Sequence, residues 1–399
     1  MTPGRTRLAP FAALIAGHIV SQWLRTLPAV AAEGLMAELL LSPGGLGLAT
    51  GLYHAGFALG QIPTGVALDR FGVRQTVCVL LAIATLGACG SALAPNGTTF
   101  GLAQFTTGLG CCGMLMCGLR WTAYAMPPEK FGAVSGYILA LGSIGLLASG
   151  TPSALLIEAF GWRGAYGMAA AAAAITLGLA RVLVPYVPGQ ESSQSVLADA
   201  RQVLRLFTSA ALWPCVLLAL VGYAAFIGVR GLWAGPWLTE VAGLPLVSAG
   251  HALLMISLAM AVGPALWGFI DRRMPSRVAA LGWSHILGAA LLLPFGLGGL
   301  GVAGDVAALT LFMALTASHI LIFALARTRV EEAILGKAFS AVNLGFFGGV
   351  AVLQPLSGLA AGYGGPGAAI ALLGLGCGAG GVAFLWLMRS RPGATTRRP

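Results

Sequence analysis

The chain alternates long apolar runs with short polar punctuation from one end to the other. A helix needs about 20 apolar residues to cross the hydrocarbon layer of a bilayer, and the runs here repeatedly reach that length. They predict membrane-crossing helices over 9–32, 46–68, 75–95, 99–122, 132–157, 165–186, 209–236, 248–270, 278–299, 304–326, 339–362 and 367–388. The expected class is an all-α polytopic membrane protein with 12 transmembrane helices.

The pattern also repeats. Pro63, Gly65 and Asp69-Arg70 close the second run much as Pro264, Gly268 and Asp271-Arg272 close the eighth, an offset of about 202 residues (271 minus 69). Gly132 with Ser135 opens the fifth run as Gly336 with Ser340 opens the eleventh. Two pseudo-symmetric six-helix bundles are expected over 1–186 and 209–399, the second ending in a short basic tail. A linker over 187–208 joins them, and the stretch Pro185 to Ser195 at its start is charged and carries Pro and Gly. In folds built from such repeats, binding sites lie where the halves meet near mid-membrane.

Composition agrees with this class. With 58% hydrophobic residues, 9% charged residues and a mean hydropathy of +0.88, the chain has too little polar surface to coat a water-soluble body. The net charge of +10 would suit a nucleic-acid binder, but the basic residues mark topology instead. Arg5, Arg7, Arg70, Arg74, Arg120, Lys130, Arg181, Arg201, Arg205, Arg272, Arg273, Arg277, Arg327, Arg329, Lys337 and the Arg389 to Arg398 tail fall on one side, and Arg163 falls opposite. The positive-inside rule then puts both termini in the cytoplasm of a bacterial-type inner membrane, with the lipid bilayer as partner and no nucleic acid. The first apolar run is too long for a signal-peptide core and is expected to stay as the first helix. The seven cysteines sit in or beside predicted spans without disulfide spacing, and free thiols are expected.

The charged turn Gly65-Val-Ala-Leu-Asp69-Arg70-Phe-Gly72-Val-Arg74 lies between the second and third runs. It resembles the signature that follows the second transmembrane helix in the major facilitator superfamily, with Val73 where a first basic residue is usual. The Met126-Pro127-Pro128-Glu129-Lys130 turn and Phe160-Gly161-Trp162-Arg163 resemble further landmarks of that family. The resemblance implies a secondary transporter that works by alternating access, with Gly65, Asp69, Arg70, Gly72 and Arg74 acting as a gate. Two departures weigh against proton-driven drug export. Gln104 stands where many members carry a membrane arginine, and Gly145 to Pro152 lacks the full antiporter pattern.

Two arginines, Arg25 and Arg230, fall inside predicted spans. A charge there costs about 3 kcal/mol or more and is usually kept for a partner or a substrate. Arg25 precedes Ser42 by 17 residues and Arg230 precedes Ser248 by 18, so each sits at similar depth in the first helix of its half. Planar, permanently charged guanidinium groups suit carboxylate, phosphate or sulfonate, and the pair is expected to clamp a small organic anion. The competing expectation is pairing with Glu33, Glu38 or Glu240. His18, Ser21 and Arg25 share a helical face, and His18 or His54 is a candidate carrier of a coupling proton. Tyr223, Trp233, His251 and Asn343 are further candidate contacts, each with an ordinary packing role as its alternative.

A softer constellation, Cys111-Cys112-Gly-Met114-Leu-Met116-Cys117 with His251, Met255 and Met260, would favour Cu(I). The His251 to Met255 spacing resembles that of CcoA-like copper importers, a family that includes riboflavin carriers. Tyr223 and Ile227 stand where that family's paired methionines would fall, so copper or riboflavin import ranks second. A non-transporting membrane sensor is the alternative from another class. No nucleophile and base motif, nucleotide loop or hard-metal cluster points to an enzyme, and no cofactor is expected.

Overall fold

A computed structural model describes residues 5–187 and 196–389. Most of the linker stretch Pro185 to Ser195 and the basic tail beyond residue 389 lie outside the described residues. The chain is 89% helical with no strand among the described residues, and it forms twelve membrane helices in two six-helix bundles. The linker helix Val196–Phe207 separates the sixth helix from the seventh.

Several helices join with almost no loop. Pro43–Ala92 reverses at Gly72 (φ 73°, ψ 177°), which divides it into the second and third helices. Thr151–Leu183 is broken at Gly161 (φ 68°, ψ 172°) and Leu335–Arg389 at Gly365 (φ 69°, ψ −173°). These last two breaks share one conformation and lie 204 residues apart (365 minus 161), so the repeat in the sequence is a repeat in the backbone. A side chain is strained at such positive φ, which is why glycine holds all three breaks.

The first helix differs from the expected 9–32. It runs as Arg5–Thr26 and Pro28–Leu39, interrupted at Leu27 because Pro28 donates no N–H, and it continues beyond the apolar run to the αL residue Leu40. The seventh helix does not stop at Pro236. Two wide turns, Val229–Trp233 and Trp237–Val241, flank that proline, with Ala234 N–H reaching Val229 O and Ala242 N–H reaching Trp237 O five residues back. Such insertions let a helix absorb an extra residue and turn its side chains out of register.

An even number of crossings puts both ends of the helical body on one side, here the termini end, with the far end opposite. Small residues let the helices close on one another, as membrane helices must without a hydrophobic force between them. A Cβ on Gly108 would lie 1.9 Å from Tyr53 O and one on Gly110 2.2 Å from Ala84 N, so the fourth helix rests on the second and third backbone to backbone. Outside, Leu86, Leu102, Ile175, Leu287 and Leu375 are each more than half exposed, an apolar shell facing lipid.

The two halves meet along a seam that is tightest toward the far end. Gly235 of the seventh helix lies against Ala29 O of the first, Gly47 of the second against Gly358 of the eleventh, and Gly150 beside the fifth against Gly250 O of the eighth. Nearer the middle of the helices the Phe57 and Phe347 rings stack at 3.9 Å, and Asn343 Nδ2 donates to Gln61 Oε1 at 2.8 Å.

The packing predicts that Gly108→Val lowers stability by about 1–3 kcal/mol, because the second helix backbone occupies the space its side chain needs. Nothing lies within 4 Å of a Cβ at Gly132, so Gly132→Ala is expected to be neutral or to gain up to about 1 kcal/mol. Thermal unfolding of the two variants in detergent checks the contrast.

Candidate functional site

The structure gives the two membrane arginines different surroundings. Arg25, near the end of the first segment of the first helix, is 9% exposed. Its Nη1 donates to Tyr223 Oη across the seam at 3.4 Å, a long contact, and its buried Nε has no hydrogen-bond partner. Arg230 is fully buried. It stands in the first wide turn of the seventh helix, where its Nε is shared between Ser257 Oγ at 2.7 Å and Leu253 O at 3.2 Å on the eighth helix. Its Nη2 crosses to the other half and donates to Ser149 Oγ at 3.0 Å.

Ser149 joins three segments at one oxygen. It accepts from Arg230 and from Thr26 Oγ1 at 2.7 Å, and donates to Leu146 O at 2.8 Å. The hydroxyl thereby ties the first, fifth and seventh helices together, and Arg230, the charged member, extends the cluster to the eighth. A buried ion held by neutral oxygens depends strongly on each of them, because the cost of losing water has been met by few bonds.

Neither arginine is within ion-pair distance of a carboxylate among the described residues. Glu38 pairs with Arg163 at 3.3 Å, and Arg163 also donates to Ala92 O and Ala94 O, closing the far end of the third helix. Asp305 accepts from Trp237 Nε1 at 2.9 Å and Leu300 N at 2.7 Å. It lies in the first turn of the helix Val302–Thr316, where the helix dipole favours a negative charge.

Around Arg25 the walls are aromatic. The Tyr223 ring lies 4.7 Å from Phe346, 5.2 Å from His319 and 5.5 Å from Phe347, and Phe226 lies 4.8 Å from His319. From the first half, His54 stacks toward Phe347 at 6.5 Å and meets Tyr53 edge-on at 5.1 Å. His54 Nδ1 faces Thr50 O, while its buried Nε2 has no hydrogen-bond partner.

The shared face of His18, Ser21 and Arg25 fans out. His18 is wedged against Gly142 of the fifth helix, Ser21 donates to Cys111 O of the fourth, and Arg25 reaches Tyr223. Trp233 donates to Ser357 Oγ at 2.7 Å, which binds the seventh helix to the eleventh within one half. Asn343 meets Gln61, whose Nε2 donates to Cys112 O at 3.1 Å. His251 and Met255 are exposed on one outward face with Leu258, remote from the aromatic walls. Cys111 and Cys112 face Ser21, Gln61 and Thr64 inside the first half, so the structure does not gather the soft constellation.

The charged turn is also placed. Asp69 pairs with Arg120 at 3.1 Å, both about half exposed, Arg74 donates to Arg181 O at 2.6 Å, and Gly72 makes the reversal. Arg70 is exposed and Gly65 has only Met116 near it. In the second half Arg277 grips Asp271 through two bonds of 2.6 and 2.9 Å. Ser149, Ser257, His319, Phe346, Phe347 and Gln61 were not legible as site residues, since a lone serine or phenylalanine inside an apolar run carries no signal of what faces it.

The sequence profile described as the Major Facilitator Superfamily matches residues 14–333. The chain is 25% identical to the cis,cis-muconate transport protein of Acinetobacter baylyi over 280 residues, 66% of this chain and 65% of that protein. It is 24% identical to a putative tartrate transporter of Agrobacterium vitis over 337 residues, 79% of this chain and 75% of that one. A match to the niacin transporter NiaP of Acinetobacter baylyi is 28% identical over 132 residues and spans 33% of this chain and 30% of that protein. Among solved structures, a POT family transporter in complex with 5-aminolevulinic acid superposes with a TM-score of 0.79 at 12% identity, covering 97% of this chain and 96% of that one. The D-xylose-proton symporter superposes at 0.74 with 16% identity, covering 95% and 97%. The twelve-helix fold and the profile match over most of its length show that this chain belongs to the Major Facilitator Superfamily and is a multi-pass membrane protein.

Proposed function

We propose that this transporter moves a small organic anion by alternating access, with Arg25 as the group that receives the anionic end. The observation that carries the reading is the state of Arg25. It is a guanidinium near mid-membrane at the seam, with an unpartnered Nε, one long hydrogen bond and no carboxylate beside it. A charge left so under-satisfied in an apolar body is stabilised by an anion that completes its hydrogen bonds. The names of the muconate and tartrate relatives agree with an anionic cargo.

In this proposal Arg230 has the second role, closing the far end over the bound anion through Ser149. The cycle opens the two ends in turn, and the Asp69 turn steadies the termini end. The driving ion is the proton, with His18 and His54 as its candidate carriers because both rings are buried with an unpartnered Nε2. The excess of basic residues at the termini end supports a cytoplasmic placement of both termini in a bacterial-type inner membrane.

Arg25→Gln is expected to weaken anion binding by roughly ten- to a hundredfold, the loss of charge-assisted hydrogen bonds, while leaving the purified protein folded. Equilibrium titration with a panel of carboxylates, phosphates and sulfonates measures it, and unchanged affinity for the ligand that binds would refute the assignment.

Asp69→Asn removes the ion pair with Arg120 and is expected to slow exchange across liposomes severalfold with anion affinity retained. Counterflow in the same liposomes also separates a carrier from a sensor, because a sensor binds ligand and exchanges none.

A further inference from the structure

We infer that Asp305 is a positioning residue of the far-end seal: it holds the Trp237 indole, and through it keeps the seventh helix in the wide-turn form that sets Gly235 against the first helix. The inference concerns how the two halves close and stands apart from what is carried between them.

The seventh helix is gripped from two sides at this point. A Cβ on Gly235 would lie 1.6 Å from Ala29 O, so the helix backbone touches the first helix directly there. Trp237 follows two residues later, about 200° further round a helix, and its side chain points into its own half instead. It is 2% exposed, donates from Nε1 to Asp305 Oδ2 at 2.9 Å and meets the Phe295 ring at 4.8 Å and 65°. Trp237 also opens the second wide turn, Trp237–Val241. Its anchored side chain therefore fixes the segment where the helix leaves its regular register.

The slot that takes the indole is cut from missing side chains. A Cβ on Gly299 would lie 2.6 Å from Trp237 Cζ2 and 2.7 Å from Asp305 Oδ1, and one on Gly367 would lie 2.7 Å from Trp237 Cζ3. Gly299 also has a φ of 84°, a conformation that side chains rarely take. The loop after the ninth helix and the start of the twelfth leave room for the ring because both positions are glycine.

Asp305 is the one buried carboxylate among the described residues, and it makes no ion pair with any of them. One oxygen accepts from Leu300 N at 2.7 Å, which closes the loop over its own helix, and the other accepts from Trp237. A carboxylate buried with so few donors depends on each of them. Closing the loop needs only the first bond. The second reaches another helix, and a charge-assisted bond to an indole N–H is stronger than the neutral bond that an amide would leave. A cleft between the first, seventh and eighth helices, lined by Ala32, Gly235, Thr239 and Ala249, lies at the contact this bond supports.

The experiment introduces Ala32→Cys into the full chain and follows its reaction with a water-soluble maleimide, read peptide by peptide by mass spectrometry. Cys215 and Cys377, both without exposed surface, report general loosening in the same samples. Asp305→Asn is expected to speed labelling at position 32 about three- to tenfold, the difference between a charge-assisted and a neutral bond, with Cys215 and Cys377 unchanged. Trp237→Phe keeps an aromatic ring in the slot, removes the donor and is expected to do the same, which tests the bond even where Asp305→Asn fails to fold. The double variant is expected to add nothing to either single one, because both remove the same bond. A rate at position 32 unchanged by Trp237→Phe, or a full further increase when Asp305→Asn is added to it, would overturn the inference. So would an equal rise at Cys215 and Cys377, the mark of a role in stability alone.

Discussion

The hydrogen bonds of Arg230 are the interaction on which the closed far end depends. A guanidinium with no exposed surface is held by Ser257, Leu253 and Ser149, and the last of these belongs to the other half. A charge this deep, its Nη1 already without a hydrogen-bond partner, cannot lose these bonds without a cost of several kcal/mol, so the fifth and eighth helices are drawn together where Arg230 sits between them. The near contacts of Gly235 with Ala29, Gly47 with Gly358 and Gly150 with Gly250 then follow along the same end. They are close because side chains are missing there, and they gain dispersion energy only when the halves are fully seated.

The two arginines occupy related positions in the repeat, yet the structure gives them different surroundings. The difference begins in the backbone. The seventh helix takes a wide turn at Val229–Trp233, which rotates Arg230 toward the eighth helix and the other half, while the first helix breaks only two residues after Arg25, at Leu27. Arg25 is left beside Tyr223 with unused donors. In the proposed cycle an anion on Arg25 would add contacts to the second half that the empty site lacks. Binding of this kind shifts the balance between the open and closed arrangements by its differential affinity for them.

Much of the fold was legible in the sequence because crossing a bilayer demands long apolar runs, and those leave no ambiguity of period. Ten of the twelve spans fall near their expected limits for that reason, and Gly72 and Gly161 mark reversals that the charged turns announce. The extension of the first helix to Leu39 was hidden because its last turns carry Glu33 and Glu38, polar positions that hydropathy reads as a loop. The seventh helix passed through Pro236 because wide turns accommodate a proline that would stop a regular helix. At the site, the arginines and Tyr223 could be singled out, since charge in an apolar run is conspicuous. Their partners could not. Ser149, Ser257 and Phe346 are ordinary residues made significant by what faces them, and facing is a property of helix packing that no single run records.

The most direct test of the account is the distance between spin labels at the exposed far-end positions Leu40 and Leu297, measured by pulsed electron paramagnetic resonance in wild type and in Arg230→Met. With Arg230 sealing the seam through Ser149, the wild type should show a short, narrow distribution and Arg230→Met a longer, broader one as the far end parts. A distribution unchanged by Arg230→Met would show that the far end closes without its guanidinium, and would contradict the division of roles between the two arginines.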